Sequence, residues 1–92
     1  MSAEFEIGPI KQSVGEHGTL LLIEGTVRNV GTRQSHDVKV WVEGLDDASS
    51  VVASEEALPD PQEIPPGTVG RYQVKLPNDP KITTFHVEAI GR

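Results

Sequence analysis

Residues 20–32, LLLIEGTVRNVGT, decide the fold, because they have the pattern of one long β-strand that ends in a tight turn. Successive side chains point to opposite faces of a strand. One face of this strand carries Leu21, Ile23, Gly25, Val27 and Asn29. At its end, we expect Asn29 to hydrogen-bond its own backbone and Gly31 to adopt a positive φ. Leu20 and Leu22 make the other face apolar as well at the start, so the segment predicts a strand that begins covered and finishes at the surface.

A second strand follows at residues 38–43, where apolar and polar residues alternate strictly. Val38, Val40 and Val42 share one face of it. Lys39, Trp41 and Glu43 share the other. This period of two is typical of a half-buried strand. Because turn residues separate the two strands, we expect both to belong to antiparallel sheets.

Four further segments have strand character and lie between turn signals: residues 5–10, 51–54, 69–76 and 82–90. Gly8 and Pro9 interrupt the first, which predicts an edge strand broken by a bend. Four prolines between positions 59 and 66 exclude a helix there and predict an extended crossover between sheets. We therefore predict an all-β fold, an immunoglobulin-like two-sheet antiparallel β-sandwich of about seven strands, as a single domain over residues 1–92.

Composition narrows the classes of partner. The 92 residues include no cysteine and carry a formal charge of −6, with a pI of about 4.9. Eight acidic residues lie between Asp37 and Glu63, against Lys39 as the one basic residue. The negative electrostatic potential of these residues disfavours binding to nucleic acid and to anionic lipid. It indicates either a solvated surface or a patch for a basic partner. We expect no direct membrane insertion and a monomer in isolation.

The order of features resembles the FxLYD domains, a family of small immunoglobulin-like modules. The resemblance rests on residues 25–29 (GTVRN), 38–42 (VKVWV), 51–52 (VV), 66–67 (PG), 72–74 (YQV) and 85–87 (FHV). The namesake motif falls at residues 42–46, of which Asp46 matches it. The CARDB modules are the second resemblance, through the Asn-x-Gly-Thr turn and the later Pro-Gly.

Both resemblances imply a non-catalytic module of a prokaryotic envelope-associated or secreted protein. We accordingly expect an extracytoplasmic location for a larger parent protein, although the first residues of this chain lack the pattern of a signal peptide. Neither family brings a catalytic or cofactor-binding residue to this chain.

Residues that could carry chemistry do not form a recognisable motif. His17, His36 and His86 lack the close spacing of a local metal site. Oxygen ligands for calcium are available at residues 46–50, but without the alternating spacing and the distal glutamate that Ca²⁺ loops use. Ser35, His36 and Asp37 are consecutive, and a catalytic triad is defined by geometry rather than by adjacency. We predict no catalytic, metal or cofactor site.

Trp41 is the residue of greatest interest for binding. Alternation places it on the polar face, between Lys39 and Glu43. There it either covers its neighbours and the stems of basic side chains or anchors a partner. We predict a non-catalytic structural or protein-interaction module with Trp41 and Tyr72 as partner contacts. The alternative is a carbohydrate-binding module that uses Trp41. An enzyme would need several perturbed titratable groups in one pocket, which the sequence does not assemble.

Overall fold

The computed structural model describes residues 4–92, apart from the side chain of Glu16. The expectation about the first three residues of the chain, that they begin no signal peptide, lies outside the described residues. Seven strands follow in order: β1 (Phe5–Ile7), β2 (Lys11–Val14), β3 (Leu20–Asn29), β4 (Lys39–Leu45), β5 (Val51–Ala57), β6 (Val69–Pro77) and β7 (Thr84–Ile90). A 3₁₀ turn, Glu16–Gly18, connects β2 to β3. No helix among residues 4–92 is long and apolar enough to cross a membrane.

The first sheet, called sheet I, is built around β3. Strands β1 and β2 pair in tandem with one edge of β3, and β6 pairs with its other edge. The break between β1 and β2 falls at Gly8 and Pro9, as the sequence predicts. Proline has no N–H to donate to a ladder, so the edge strand stops and restarts there.

The second sheet, called sheet II, has the order β5-β4-β7, and all its pairings are antiparallel. The two sheets pack face to face, which confirms the predicted all-β sandwich. Strand β5 runs to Ala57, three residues beyond the predicted end. Glu55 and Glu56 obscure this strand in the sequence, because two consecutive charges break the alternation; edge strands commonly carry such charged side chains.

The core lies between the sheets. It consists of ten buried apolar residues: Ile23, Val27, Val38, Val40, Val42, Ala57, Ile64, Tyr72, Val74 and Leu76. Val38, Val40 and Val42 are all 0% exposed, so the predicted orientation of that strand is confirmed. Full burial of each such side chain contributes about 1.5–3 kcal/mol.

Gly25 creates the space that Tyr72 fills. The two residues face each other in the β3–β6 register. A Cβ atom at position 25 would come within 2.5 Å of the tyrosine hydroxyl and 2.7 Å of the ring. A glycine inside a strand often marks such a close approach. The absence of a side chain on β3 therefore lets the Tyr72 ring lie across that strand in the core.

The proline-containing segment after β5 crosses from sheet II to sheet I, as predicted. It is tied to its surroundings by two isolated bridges, Ser35 with Ile64 and Asp60 with Arg71. Ile64 from this segment is fully buried. The crossover is therefore part of the packed structure.

Asn29 fixes the turn that follows β3. Its Oδ1 accepts a hydrogen bond from the Gly31 N–H at 2.9 Å, as expected for an asparagine that bonds its own backbone. The expected positive φ at Gly31 is wrong, since the glycines with positive φ are Gly18 and Gly67. The side chain of Asn29 holds the turn without requiring a left-handed residue.

Candidate functional site

The candidate site is the outer face of sheet II, the face directed away from the core. Because the valines of β4 point inward, Lys39, Trp41 and Glu43 point outward. The register places Trp41 opposite Glu56 on β5 and opposite Glu88 on β7. Directly opposed side chains in antiparallel pairs have Cβ atoms roughly 4.5–5.5 Å apart. The tryptophan is thus flanked by a carboxylate on each side.

A shallow cavity of about 210 Å³ opens on this face. Its lining comes from all three strands of sheet II: Lys39, Val40, Trp41, Glu56, Glu88 and Ile90. Pockets for small organic ligands usually measure about 300–1,000 Å³. The cavity is therefore closer in size to a single side chain than to a complete small-molecule ligand.

Trp41 is 41% exposed. Its neighbours cover part of the ring and leave the rest accessible to solvent. Ile90, which lies opposite Lys39 on β7, is 65% exposed and extends the apolar surface of the cavity. An accessible indole beside an exposed isoleucine is the type of surface that protein partners use.

The charge of the outer face is dominated by carboxylates. Glu88 Oε1 lies 2.9 Å from His86 Nε2, and both side chains are about half exposed or more. Within residues 4–92, no ion pair closer than 4.0 Å involves Glu56 or Lys39. Glu88 therefore has His86 as its partner, and Lys39 forms no direct ion pair with either glutamate.

Tyr72 does not belong to this site, which corrects its prediction as a partner contact. It points into the core from β6, is 3% exposed and packs with the central cluster. Burial raises the pKa of its hydroxyl above the ordinary value, because the charged phenolate would lose its hydration. Alternation along β6 already places Tyr72 on the buried face with Val74 and Leu76, and the space at Gly25 accommodates its ring.

The histidines lie in separate places. His36 Nδ1 is 2.8 Å from Glu63 Oε2, His86 pairs with Glu88, and His17 lies in the 3₁₀ turn. No group of three or more histidine and acidic side chains within the described part of the chain could hold a metal ion.

The other two candidates have structural explanations. Asp46 Oδ1 accepts hydrogen bonds from the N–H groups of Ala48 and Ser50, both at 2.9 Å, so this carboxylate closes its own turn. The consecutive Ser35, His36 and Asp37 diverge: Ser35 is buried, His36 contacts Glu63, and Asp37 contacts Arg92.

Sequence reasoning identified Trp41 but missed Glu56, Glu88 and Ile90 as its neighbours. Alternation along β7 already places Glu88 and Ile90 on the face opposite Val87 and Ala89. What the sequence lacks is the pairing of β5 and β7 with β4. Only that register converts three separate strands into one cavity.

Comparison with known proteins supports the fold. No family model matches the chain, and no curated protein matches it. A solved structure of IrmA from Escherichia coli is similar to 98% of this chain and 78% of its own, with a TM-score of 0.67 and 7% sequence identity. At that identity the likeness shows a shared β-sandwich-like all-β fold.

Proposed function

We propose that this chain is a non-catalytic interaction module that binds a protein partner through the outer face of sheet II. The observation that carries the proposal is Trp41, which is accessible at the centre of a packed, three-stranded surface beside a cavity. Tryptophan is enriched among the residues that dominate binding energy at protein interfaces. A sheet also presents such a residue on a rigid base, which limits the entropy lost on binding.

The distribution of titratable groups supports a binding role. A catalytic site usually combines two or more groups with displaced pKa values in one cavity. Tyr72, whose pKa is raised by burial, lies in the core and away from the cavity. The cavity beside Trp41 offers two exposed carboxylates and a lysine, which are suited to recognition of charge.

The finer assignment to an FxLYD-like module, with a CARDB-like module as second choice, belongs to the same proposal. Its support is the position of the shared motifs: the Gly25 to Asn29 motif ends β3, the Pro-Gly turn precedes β6, and Phe85 and Val87 lie on β7. On this proposal the domain belongs to a larger extracytoplasmic or envelope-associated protein and holds its outer sheet face toward a neighbouring chain.

Selection from a random peptide library tests the proposal, with the wild-type domain and the Trp41→Ala variant as parallel baits. We expect peptides that bind the wild-type domain and lose at least tenfold in affinity on Trp41→Ala. Circular dichroism confirms that the variant remains folded. A glycan array run with both baits covers the carbohydrate alternative. Peptides that bind both baits equally, or binding to glycans alone, would overturn the proposal.

A further inference from the structure

We propose that the cavity beside Trp41 binds an arginine side chain of the protein partner. This inference rests on the proposed function and specifies the chemistry that the same site recognises. It requires three properties at one place: an accessible aromatic face, negative charge around it, and a space that accommodates one long side chain. The outer face of sheet II supplies all three.

The aromatic face is the first property. A cation within about 6 Å of the centre of an indole ring is attracted by the quadrupole of the ring, and tryptophan is the most effective of the aromatic residues. Trp41 is exposed enough to receive such a group and is held in place by strands on both sides. The guanidinium group is planar and weakly hydrated, so it stacks on an indole more readily than the compact ammonium of lysine.

The charge around the ring is the second property. Glu56 and Glu88 lie on opposite sides of Trp41, so a guanidinium stacked on the indole comes close to a carboxylate at each end. Arginine donates five N–H groups in a fixed plane and pairs with carboxylates through two parallel hydrogen bonds. The formal charge of −6 attracts a cationic segment from a distance.

The shape of the cavity is the third property. Its volume of about 210 Å³ suits one side chain, and Ile90 provides an apolar wall for the methylene stem of an arginine. Lys39 lies at the same cavity and repels an incoming cation, so it limits the affinity. A neutral sugar on the same ring could donate hydroxyl hydrogen bonds to the carboxylates but would form no ion pair with them.

Titration of the ¹⁵N-labelled domain with a blocked tripeptide, acetyl-Gly-Arg-Gly-amide, tests the inference by nuclear magnetic resonance. We expect saturable shifts at the Trp41 indole N–H and at the amides of Lys39, Glu56 and Glu88, with a dissociation constant in the millimolar range. The same peptide with neutral citrulline in place of arginine should bind at least tenfold more weakly. The lysine peptide should bind at least threefold more weakly.

Variants assign the effect to named side chains. Glu56→Gln and Glu88→Gln preserve size and should each weaken the arginine peptide about threefold to tenfold. Lys39→Gln should tighten its binding about twofold to threefold. Glu55→Gln is the matched control, because it removes the same charge from the adjacent position of β5, on the face opposite the cavity. It should change binding by less than twofold.

Several outcomes would overturn the inference: no saturable shift with the arginine peptide, equal binding of the citrulline or lysine peptide, or equal effects of Glu55→Gln and Glu56→Gln. These failures are distinct from failure of the proposed function. Library peptides that depend on Trp41 but contain no arginine would support a protein-binding face and reject an arginine site.

Discussion

At the scale of single residues, Asn29 connects more of the structure than any pattern in the sequence suggests. Its Nδ2 donates to the Arg33 carbonyl at 2.7 Å and to the Ile64 carbonyl at 2.8 Å. Its backbone N–H donates to Thr68, and its carbonyl accepts from Gly67. One buried amide thus joins the end of β3 to the turn after it and to the crossover before β6.

Removal of this amide should be costly. We expect Asn29→Ala to lower the free energy of unfolding by about 3 kcal/mol, because it leaves buried backbone groups without a partner. Asn78→Ala is the control, since its Nδ2 donates a hydrogen bond to the Gly18 carbonyl at an exposed site, and its loss should cost about 0.5–1 kcal/mol. Urea denaturation of both variants measures the difference. Similar losses at the two sites would show that Asn29 is not a central link.

Tyr72 makes stability depend on pH in the alkaline range. Its pKa is raised in the folded state, so folding favours the protonated hydroxyl. The unfolded chain loses this proton near pH 10, whereas the folded chain retains it to higher pH. The contribution of the protonated Tyr72 hydroxyl to the free energy of unfolding is therefore complete below about pH 10. It is lost as the pH rises through the folded-state pKa.

We expect Tyr72→Phe to weaken this alkaline loss of stability. At pH 8 it should be as stable as the wild type or about 1 kcal/mol more stable, because the buried hydroxyl has no hydrogen-bond partner among residues 4–92. Denaturation curves from pH 8 to 11 compare the two proteins. Absorbance at 295 nm reports the ionisation of the Tyr72 hydroxyl directly, since the chain contains one tyrosine. If stability depended on pH identically in the wild type and in Tyr72→Phe, Tyr72 would not be the source of the alkaline loss.

At the scale of elements, the facing of β4 can be tested with one adjacent pair of residues. Val40→Asp should unfold the domain, because it places an unpaired charge in a fully buried position. Lys39→Asp should change the free energy of unfolding by no more than about 0.5 kcal/mol, since that side chain is exposed. Far-ultraviolet circular dichroism with urea titration measures both. Equal effects would reverse the assigned faces of the strand.

The elements also show what a single sequence reveals. Period-two alternation predicted the faces of β4 and β6, where one side of the strand is buried along most of its length. For β3 the expected course from covered to exposed was wrong, since Leu20 is 42% exposed at its start and Asn29 is buried at its end. Gly8 with Pro9, and the prolines of the crossover, fixed the breaks because these residues restrict the backbone locally. The extent of β5, the partner of Gly25 and the neighbours of Trp41 depend on which strands pair and in which register. Those contacts join distant segments, so local pattern does not determine them.

At the scale of the whole molecule, the two outer faces differ in charge. The outward residues of sheet I include Lys11, Arg28, Arg71 and Lys75, with Glu6 and Glu24. Sheet II instead presents Glu43, Glu56 and Glu88, with Lys39. The molecule measures 40 × 28 × 18 Å, so the two outer faces lie close together. Their side chains nevertheless give them different net charges. The excess of carboxylates on the sheet II face favours the approach of cations over anions.

This polarity predicts how ionic quenchers reach Trp41, the one tryptophan of the chain. Relative to free N-acetyltryptophanamide, caesium should quench its fluorescence more efficiently than iodide at low ionic strength. The difference should shrink in 0.5 M NaCl, because salt screens exposed charges within a few ångströms. Neutral acrylamide provides the reference for accessibility. More efficient quenching by iodide would contradict a negative outer face.

The pairing of β3 with β6 also governs how fast the fold can form. Leu20 pairs with Pro77 and Arg28 with Val69, so every contact of this ladder joins positions far apart in the chain. Domains dominated by such non-local pairings fold in milliseconds to seconds. During synthesis, β3 has no second neighbour until the ribosome has released residues 69–77. Until then the backbone N–H and C=O groups along that edge of β3 have no strand to pair with.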